Sequence, residues 1–244
     1  GSGSHLFTEK NGVIGGIDYR DIEYDSERFQ DFDFLSGYAG WTHQWSERTR
    51  LRLQAYASTF ENSGAVAVET DSIGAQAGFD SNWSEQLSTS LLVGWVSTET
   101  DYLASLPGAV AEDDADAPLI GGSINYRTER HEFLGRVRSE PNPSGNGTMV
   151  VNNLLGLKYR YLLSERSRLD LDFTVGQRSA LDDRLDNDRD YARIGVRADY
   201  RFSAAWYVAG RYVYSYQDRE VATDDAQSNA VFLSLIYQPQ KSVW

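Results

Sequence analysis

The chain contains no cysteine, which excludes a disulfide framework and any Cys-ligated metal site. No stretch reaches the run of about 18 apolar residues that a membrane-spanning helix requires. Histidine is confined to His5, His43 and His131, too sparse and too dispersed for a metal ligand set. Positive charge is in deficit: 23 Lys and Arg stand against 36 Asp and Glu, a net charge of −13 over 244 residues. That balance argues against nucleic-acid binding, because phosphate has to be met by Lys and Arg. Helical periodicity is nearly absent too.

What is present is alternation. In "SERSRLDLDFTVGQR" (Ser164–Arg178), Leu169, Leu171, Phe173 and Val175 share one parity, and Asp170, Asp172 and Thr174 share the other. The same period-two pattern predicts strands at Val13–Tyr24, Phe32–Trp45, Arg50–Phe60, Asp71–Trp83, Leu87–Thr100 and Leu119–Arg127. It continues at Glu132–Ser139, Val150–Leu163, Arg168–Arg178, Tyr191–Phe202, Trp206–Gln217 and Asn229–Tyr237. Many approach the ~9–11 residues a tilted strand needs to cross a bilayer, longer than the ~5–6 residues of an average soluble strand.

The connections alternate in kind. "WSERTR" (Trp45–Arg50), "WSEQ" (Trp83–Gln86), "RTERHE" (Arg127–Glu132), "LSERSR" (Leu163–Arg168) and "FSAAW" (Phe202–Trp206) read as short turns. They recur roughly every 40 residues, one long hairpin per repeat, where a propeller blade would hold four short strands. Between them lie long polar stretches, including Tyr102–Pro118 and Ser139–Thr148. Acids gather in "AEDDADA" (Ala111–Ala117), "LDDRLDNDRD" (Leu181–Asp190) and "VATDDAQ" (Val221–Gln227), which read as solvated loops.

Alternation alone also suits a soluble sandwich with one wet face. Three features favour a transmembrane barrel. Trp41, Trp45, Trp83, Trp95 and Trp206 lie beside or close to the short turns, and Tyr159, Tyr161, Tyr200, Tyr212, Tyr214 and Tyr216 extend the pattern, as aromatic girdles do; β propensity alone is the competing explanation. Short turns alternate with long loops, as between the periplasmic and extracellular ends of such barrels. The apolar stripes are small and aliphatic, as in Ile73, Ala75, Ala77 and Phe79 or Ile194, Val196 and Ala198. A sandwich core would need bulkier side chains to fill it. The expected fold is therefore all-β: a single closed antiparallel transmembrane β-barrel of about twelve strands, with short periplasmic turns and long acidic extracellular loops. The opening "GSGSHLF" reads as an expression scar over residues 1–5, with the barrel spanning 6–244.

The polar parity then defines a lumen. Arg127, Arg136, Arg138, Lys158, Arg160, Asp170, Asp172, Arg193, Arg197 and Arg211 are the candidate lumen or solute-binding residues, with Arg178 and Arg201 on the same parity. Earlier strands contribute Arg52, Gln54, Gln76, Asp80, Asn82, Ser97 and Glu99. An Arg-rich wall suits an anionic solute such as an acidic saccharide. The competing explanation is a mutually paired network, since Asp170 and Asp172 lie between strands carrying Lys158, Arg160, Arg193 and Arg197. His43 shares parity with Trp41, and His131 sits in a turn, so neither meets a serine and an acid on one wall; no catalysis and no cofactor are expected. Asp113–Asp114 and Asp224–Asp225 could hold Ca²⁺ weakly, against the simpler reading of solvated acids. The glycines of Ser144–Thr148 precede no helix and make no phosphate cradle.

The segments "YRYLLSERSRLDLDF" (Tyr159–Phe173), "DYRFSAAWYVAGRYVYSYQDRE" (Asp199–Glu220) and "SNAVFLSLIYQP" (Ser228–Pro239) resemble the β-barrel porins associated with exopolysaccharide export, and "WTHQWSERTRLRLQAYAS" (Trp41–Ser58) echoes them. The resemblance implies a passive conduit or anchor in the Gram-negative outer membrane, with periplasmic secretion components as partners, and it supplies no catalytic residues. The chain departs from that pattern in its smaller size and in running on past the last strand into "QPQKSVW". The expected function is an outer-membrane pore for diffusion or export of a hydrophilic, anionic saccharide. The alternative is a non-conducting anchor or surface-binding barrel whose lumen an Arg/Asp network blocks.

Overall fold

A computed structural model describes residues 1–25, 31–62, 67–102, 112–144, 149–180, 188–219 and 225–238. Thirteen strands follow one another: β1 (Ser2–Leu6), β2 (Asn11–Ile22), β3 (Phe32–Gln44), β4 (Thr49–Asn62), β5 (Val68–Asn82), β6 (Leu87–Tyr102) and β7 (Glu112–Arg127), then β8 (His131–Pro143), β9 (Met149–Ser164), β10 (Ser167–Ala180), β11 (Arg189–Arg201), β12 (Trp206–Arg219) and β13 (Ala226–Tyr237). Each pairs with its sequence neighbours in a single meander, antiparallel throughout, as in the β9–β10–β11 ladders.

All twelve sequence-predicted strands are present as β2–β13. The thirteenth, β1, lies in the segment expected to be a scar, and pairs with half of β2 from Leu6↔Gly12 to Ser2↔Gly16. Two expected loops are partly strand. Glu112–Ala117 belongs to β7, and Ser139–Pro143 to β8. In the first case Asp114 and Asp116 are exposed while Ala117 is buried, so the "DADA" acids continue the alternation beyond the apolar band. Of the other two acidic stretches, residues 181–187 and 221–224 lie outside the described residues.

The short turns share one chemistry. Ser46 Oγ accepts from Arg48 N and Thr49 N, Ser84 Oγ from Gln86 N and Leu87 N, and Ser203 Oγ from Ala205 N and Trp206 N. Thr128 Oγ1 accepts from His131 N. A hydroxyl at the head of each turn thus satisfies amides that the ladder leaves free, which is why Ser or Thr recurs there.

Burial separates the two faces. On β3, Phe32 and Phe34 are buried while Asp33 and Leu35 are exposed; on β5, Thr70 and Ser72 are buried while Asp71 and Ile73 are exposed. The outward face carries Ile73, Leu53, Val93, Val137, Leu155, Leu171, Val175 and Ile194, all exposed. Exposed aromatics flank it: Trp41, Trp45, Trp83, Tyr126, Tyr200 and Trp206 near the short turns, and Tyr19 and Trp95 toward the long connections. The sequence reading grouped Trp95 with the short turns, but β6 carries it to the other half. Beyond this band, Asp21, Asp33, Glu61, Glu69 and Asp101 line up strand by strand in one outward row of carboxylates.

Inward, the wall is tightly curved at β4–β6. A Cβ at Gly78 or Gly94 would collide with the backbone of the adjoining strand, at Leu91 O and Ala75 O respectively. Only glycine allows that approach. Over β3–β7 the long-connection half of the interior is closely packed, with Ser58, Thr70, Ser72 and Thr98 buried beside two apolar clusters. Phe32, Phe34 and Phe60 bury Met149 of β9, and Val96, Ala117 and Leu119 take Tyr56 and Val151 against them. The start of β9 therefore reaches across to the opposite wall.

The lipid-facing assignment of the outward stripe is directly testable. Leu171→Arg on β10 should destabilise the folded protein in lipid vesicles by about 2–4 kcal/mol, read from urea unfolding; Asp172→Asn on the same strand should cost less.

Candidate functional site

The register brings the charged residues of β8–β12 onto one inward wall. One row reads Glu132, Arg160, Asp170, Arg197 and Arg211. The next, deeper toward the long connections, reads Leu134, Lys158, Asp172, Gly195 and Val213, and the next Arg136, Gly156, Thr174, Arg193 and Ser215. Arg138 follows on β8, and Arg127 ends the wall opposite Glu132 on β7. All ten sequence-predicted residues therefore share the interior face.

They divide into paired and unpaired groups. Arg160 donates to Asp170 at 2.7 Å and to Glu132 at 2.9 Å. Arg168, which the sequence reading did not single out, bridges Asp170 and Asp199, and Arg197 donates to Asp199 at 2.8 Å. Asp199, with an 11% exposed side chain, holds two arginines. Arg138 pairs with Glu140 on its own strand at 3.3 Å. Arg211 approaches Asp172 only to 3.9 Å. Asp172 instead rests over Gly195, where any Cβ would strike its carboxylate. Arg136, Lys158 and Arg193 are exposed, and among the described residues they make no ion pair. Most of the wall is thus the mutual network expected as the competing explanation, and Arg136, Lys158 and Arg193 stand outside it.

Several sequence expectations are corrected. Ser97 and Glu99 face outward, because Ser97 pairs with Ile73 and Glu99 with Asp71, while Val96 and Thr98 fill the interior. Polarity ceased to mark the lumen where β6 rises past the apolar band. The other wall is drier than expected: Ser72 Oγ and Thr98 Oγ1 lie 3.1 Å apart, both buried, beside the Phe60 and Val96 clusters. The signal was present, since Phe32, Phe34 and Phe60 sit on the polar parity. Nearer the short turns, Arg52 donates to Asp80 and Ser90, and Gln54 to Gln76. His43 stacks on Trp41 and hydrogen bonds to Asn11. His131 stacks on Tyr161 and bonds to Tyr159 Oη. Asp114 pairs across from Glu99 in β7; Asp224 and Gly145–Thr148 lie outside the described residues. A depression of about 940 Å³ opens on the outward face over Gly37, Ala39, Ala55 and Ala57, between Ile17, Leu35 and Ile73 and the acids Asp71, Asp114 and Asp116.

A meander of long strands with an aliphatic, girdled outside and a charged inside is the architecture of bacterial outer-membrane β-barrel proteins, and this chain has that fold. Among solved structures it is similar to the copper transporter OprC, with a TM-score of 0.58 and 10% identity, over 94% of this chain and 46% of that one. It is also similar to the ferric yersiniabactin uptake receptor FyuA from Yersinia pestis, with a TM-score of 0.50 and 12% identity, over 92% of this chain and 42% of that one. The chain thus spans less than half the length of these two proteins. No family model and no curated protein matches it. With its oily face outward, the chain resides in the outer membrane.

The network makes a stability prediction. Asp199→Asn removes the carboxylate that Arg197 holds and one of the two that Arg168 bridges, and should cost about 1–3 kcal/mol. Asp18→Asn breaks only an Arg20 pair that is more than half exposed, and should cost under about 1 kcal/mol. Urea unfolding of the two variants checks the contrast.

Proposed function

We propose that the chain closes into a barrel by pairing β13 with β2, and that the barrel is a passive conduit for small anionic solutes along the β8–β12 wall. The short turns then face the periplasm. Closure is supported by direction: β2 starts at the short-turn end and β13 finishes there, so the two run antiparallel, and β13 would take the place of β1 along Gly12–Gly16. It is supported also by need, because an unpaired strand edge is not tolerated in hydrocarbon. With cysteine absent from the chain, an introduced cysteine at Ile17 paired with single cysteines along Asn229–Leu233 should cross-link within one chain at one register. Cross-links only between chains would overturn closure.

The observation that carries the conduit reading is the set of inward, exposed, unpaired cations Arg136, Lys158 and Arg193. Such groups concentrate anions along a low-dielectric wall. An acidic saccharide, as a free sugar acid or an exported polymer, fits that chemistry, and periplasmic secretion components are the corresponding partners. Because apolar side chains fill the β3–β7 half, the path is narrow. The second reading, a non-conducting anchor, is favoured by one observation: Met149 spans the interior to reach Phe34 and Phe60.

Conductance in planar bilayers under a salt gradient separates the two. The conduit predicts small steps with anion preference, reduced by Arg136→Gln with Arg193→Gln. Absence of steps from folded protein, restored by Phe60→Ala, would establish the blocked barrel instead.

A further inference from the structure

Next to the long connections the charged wall carries Arg178, Arg189 and Arg219 side by side, while the acid of that row, Glu140, lies beyond Asn152 and pairs with Arg138. Arg178 of β10 lies directly opposite Arg189 of β11, and Arg189 opposite Arg219 of β12. Like charges facing each other across a ladder are destabilising, yet three arginines stand in line here. Elsewhere on this wall Arg160, Arg168 and Arg197 each find a carboxylate. Among the described residues Arg178, Arg189 and Arg219 find none. The Nε atoms of Arg178 and Arg189 are buried from solvent and have no hydrogen-bond partner. A buried donor without an acceptor is costly, and this row carries two of them.

The surroundings fix these arginines in place. The Arg189 guanidinium lies over the ring of Tyr191, 5.8 Å from its centroid. Tyr191 itself lies across Gly176, where any Cβ would strike the ring. The floor under the arginines is thus an aromatic plate seated on a glycine, with Gln217 opposite Tyr191 on β12.

We propose that Arg178, Arg189 and Arg219 form an oxyanion-binding site at the outer mouth of the interior, taking a carboxylate, sulfate or phosphate group of a solute. A guanidinium presents a planar fork of donors that matches such a group. One oxyanion bound by the terminal guanidinium nitrogens would relieve the repulsion along the row. Arg193, four residues beyond Arg189 on the same face past Tyr191, is the next free cation inward. The site deepens the conduit reading, on which its role as a first stop rests; the binding chemistry stands on the row itself.

The test is equilibrium dialysis of radiolabelled sulfate against the full chain folded in detergent micelles at low ionic strength. One saturable site per chain is expected, weakened about ten-fold or more in R178Q/R189Q and retained in R48Q/R166Q, which removes the same charge from the short turns. Without sulfate, R189Q should unfold at a higher temperature than the parent, since it relieves like-charge repulsion, and it should lose the sulfate-dependent rise. A purely structural arginine would give the opposite shift. If R178Q/R189Q does not fold, R219Q at the exposed end of the row carries the test, with weaker sulfate binding expected. Sulfate binding equal in parent and row variants overturns the site. Anion-selective conductance without saturable binding removes the site and leaves the conduit; saturable binding without conductance does the reverse.

Discussion

Every peptide group inside a bilayer must find its hydrogen-bond partner within the protein, and the rest of this structure follows from that. A meander satisfies it strand by strand, and β2 through β12 each have a neighbour on both sides. Once the ladder is fixed, side chains have only two directions, and hydrocarbon claims one of them. Leu171 and Asp170 are therefore separated by adjacency alone. β13 is the informative exception: Val231 and Leu233 are about four-fifths exposed on one face, and Phe232 is more than half exposed on the other. An element so placed calls for a partner, and β2, half covered by β1, is the one of suitable direction.

The interior is split down its length. Over β3–β7 it is packed as a small core, in which Phe60 and Val96 are fully buried. Over β8–β12 it is an electrolyte, in which carboxylates and guanidinium groups alternate wherever the strands allow. The two halves do different work. The apolar half narrows the interior and holds the walls together through Met149. The charged half is held by its own ion pairs and leaves Arg136, Lys158 and Arg193 exposed. Such a division suits a restricted path along one side better than an open central channel.

Much of this was legible in the sequence, and the failures have physical causes. Twelve strands, their faces and all ten wall residues follow from period-two alternation, because hydrocarbon enforces the pattern on every strand. The acids of Glu112–Asp116 misled because acidity was taken as a loop signal, whereas an antiparallel ladder extends into water as readily as into lipid; the alanines between them held the parity. Ser97 and Glu99 were assigned inward for the same reason. Phe32, Phe34, Phe60 and Met149 could not be seen as a cluster, since they belong to β3, β4 and β9, and nothing local brings those strands together. The pairing of Arg168 with Asp199 depends on a register that spacing alone does not set.

The outward row of Asp21, Asp33, Glu61, Glu69 and Asp101 has a mechanical consequence. Sliding the barrel inward by one residue pair would lower the row by up to about 3.4 Å and press five carboxylates toward the acyl chains at once. The aromatic band below resists motion the other way. The row therefore acts as a draught mark, setting how deep the protein floats in the membrane.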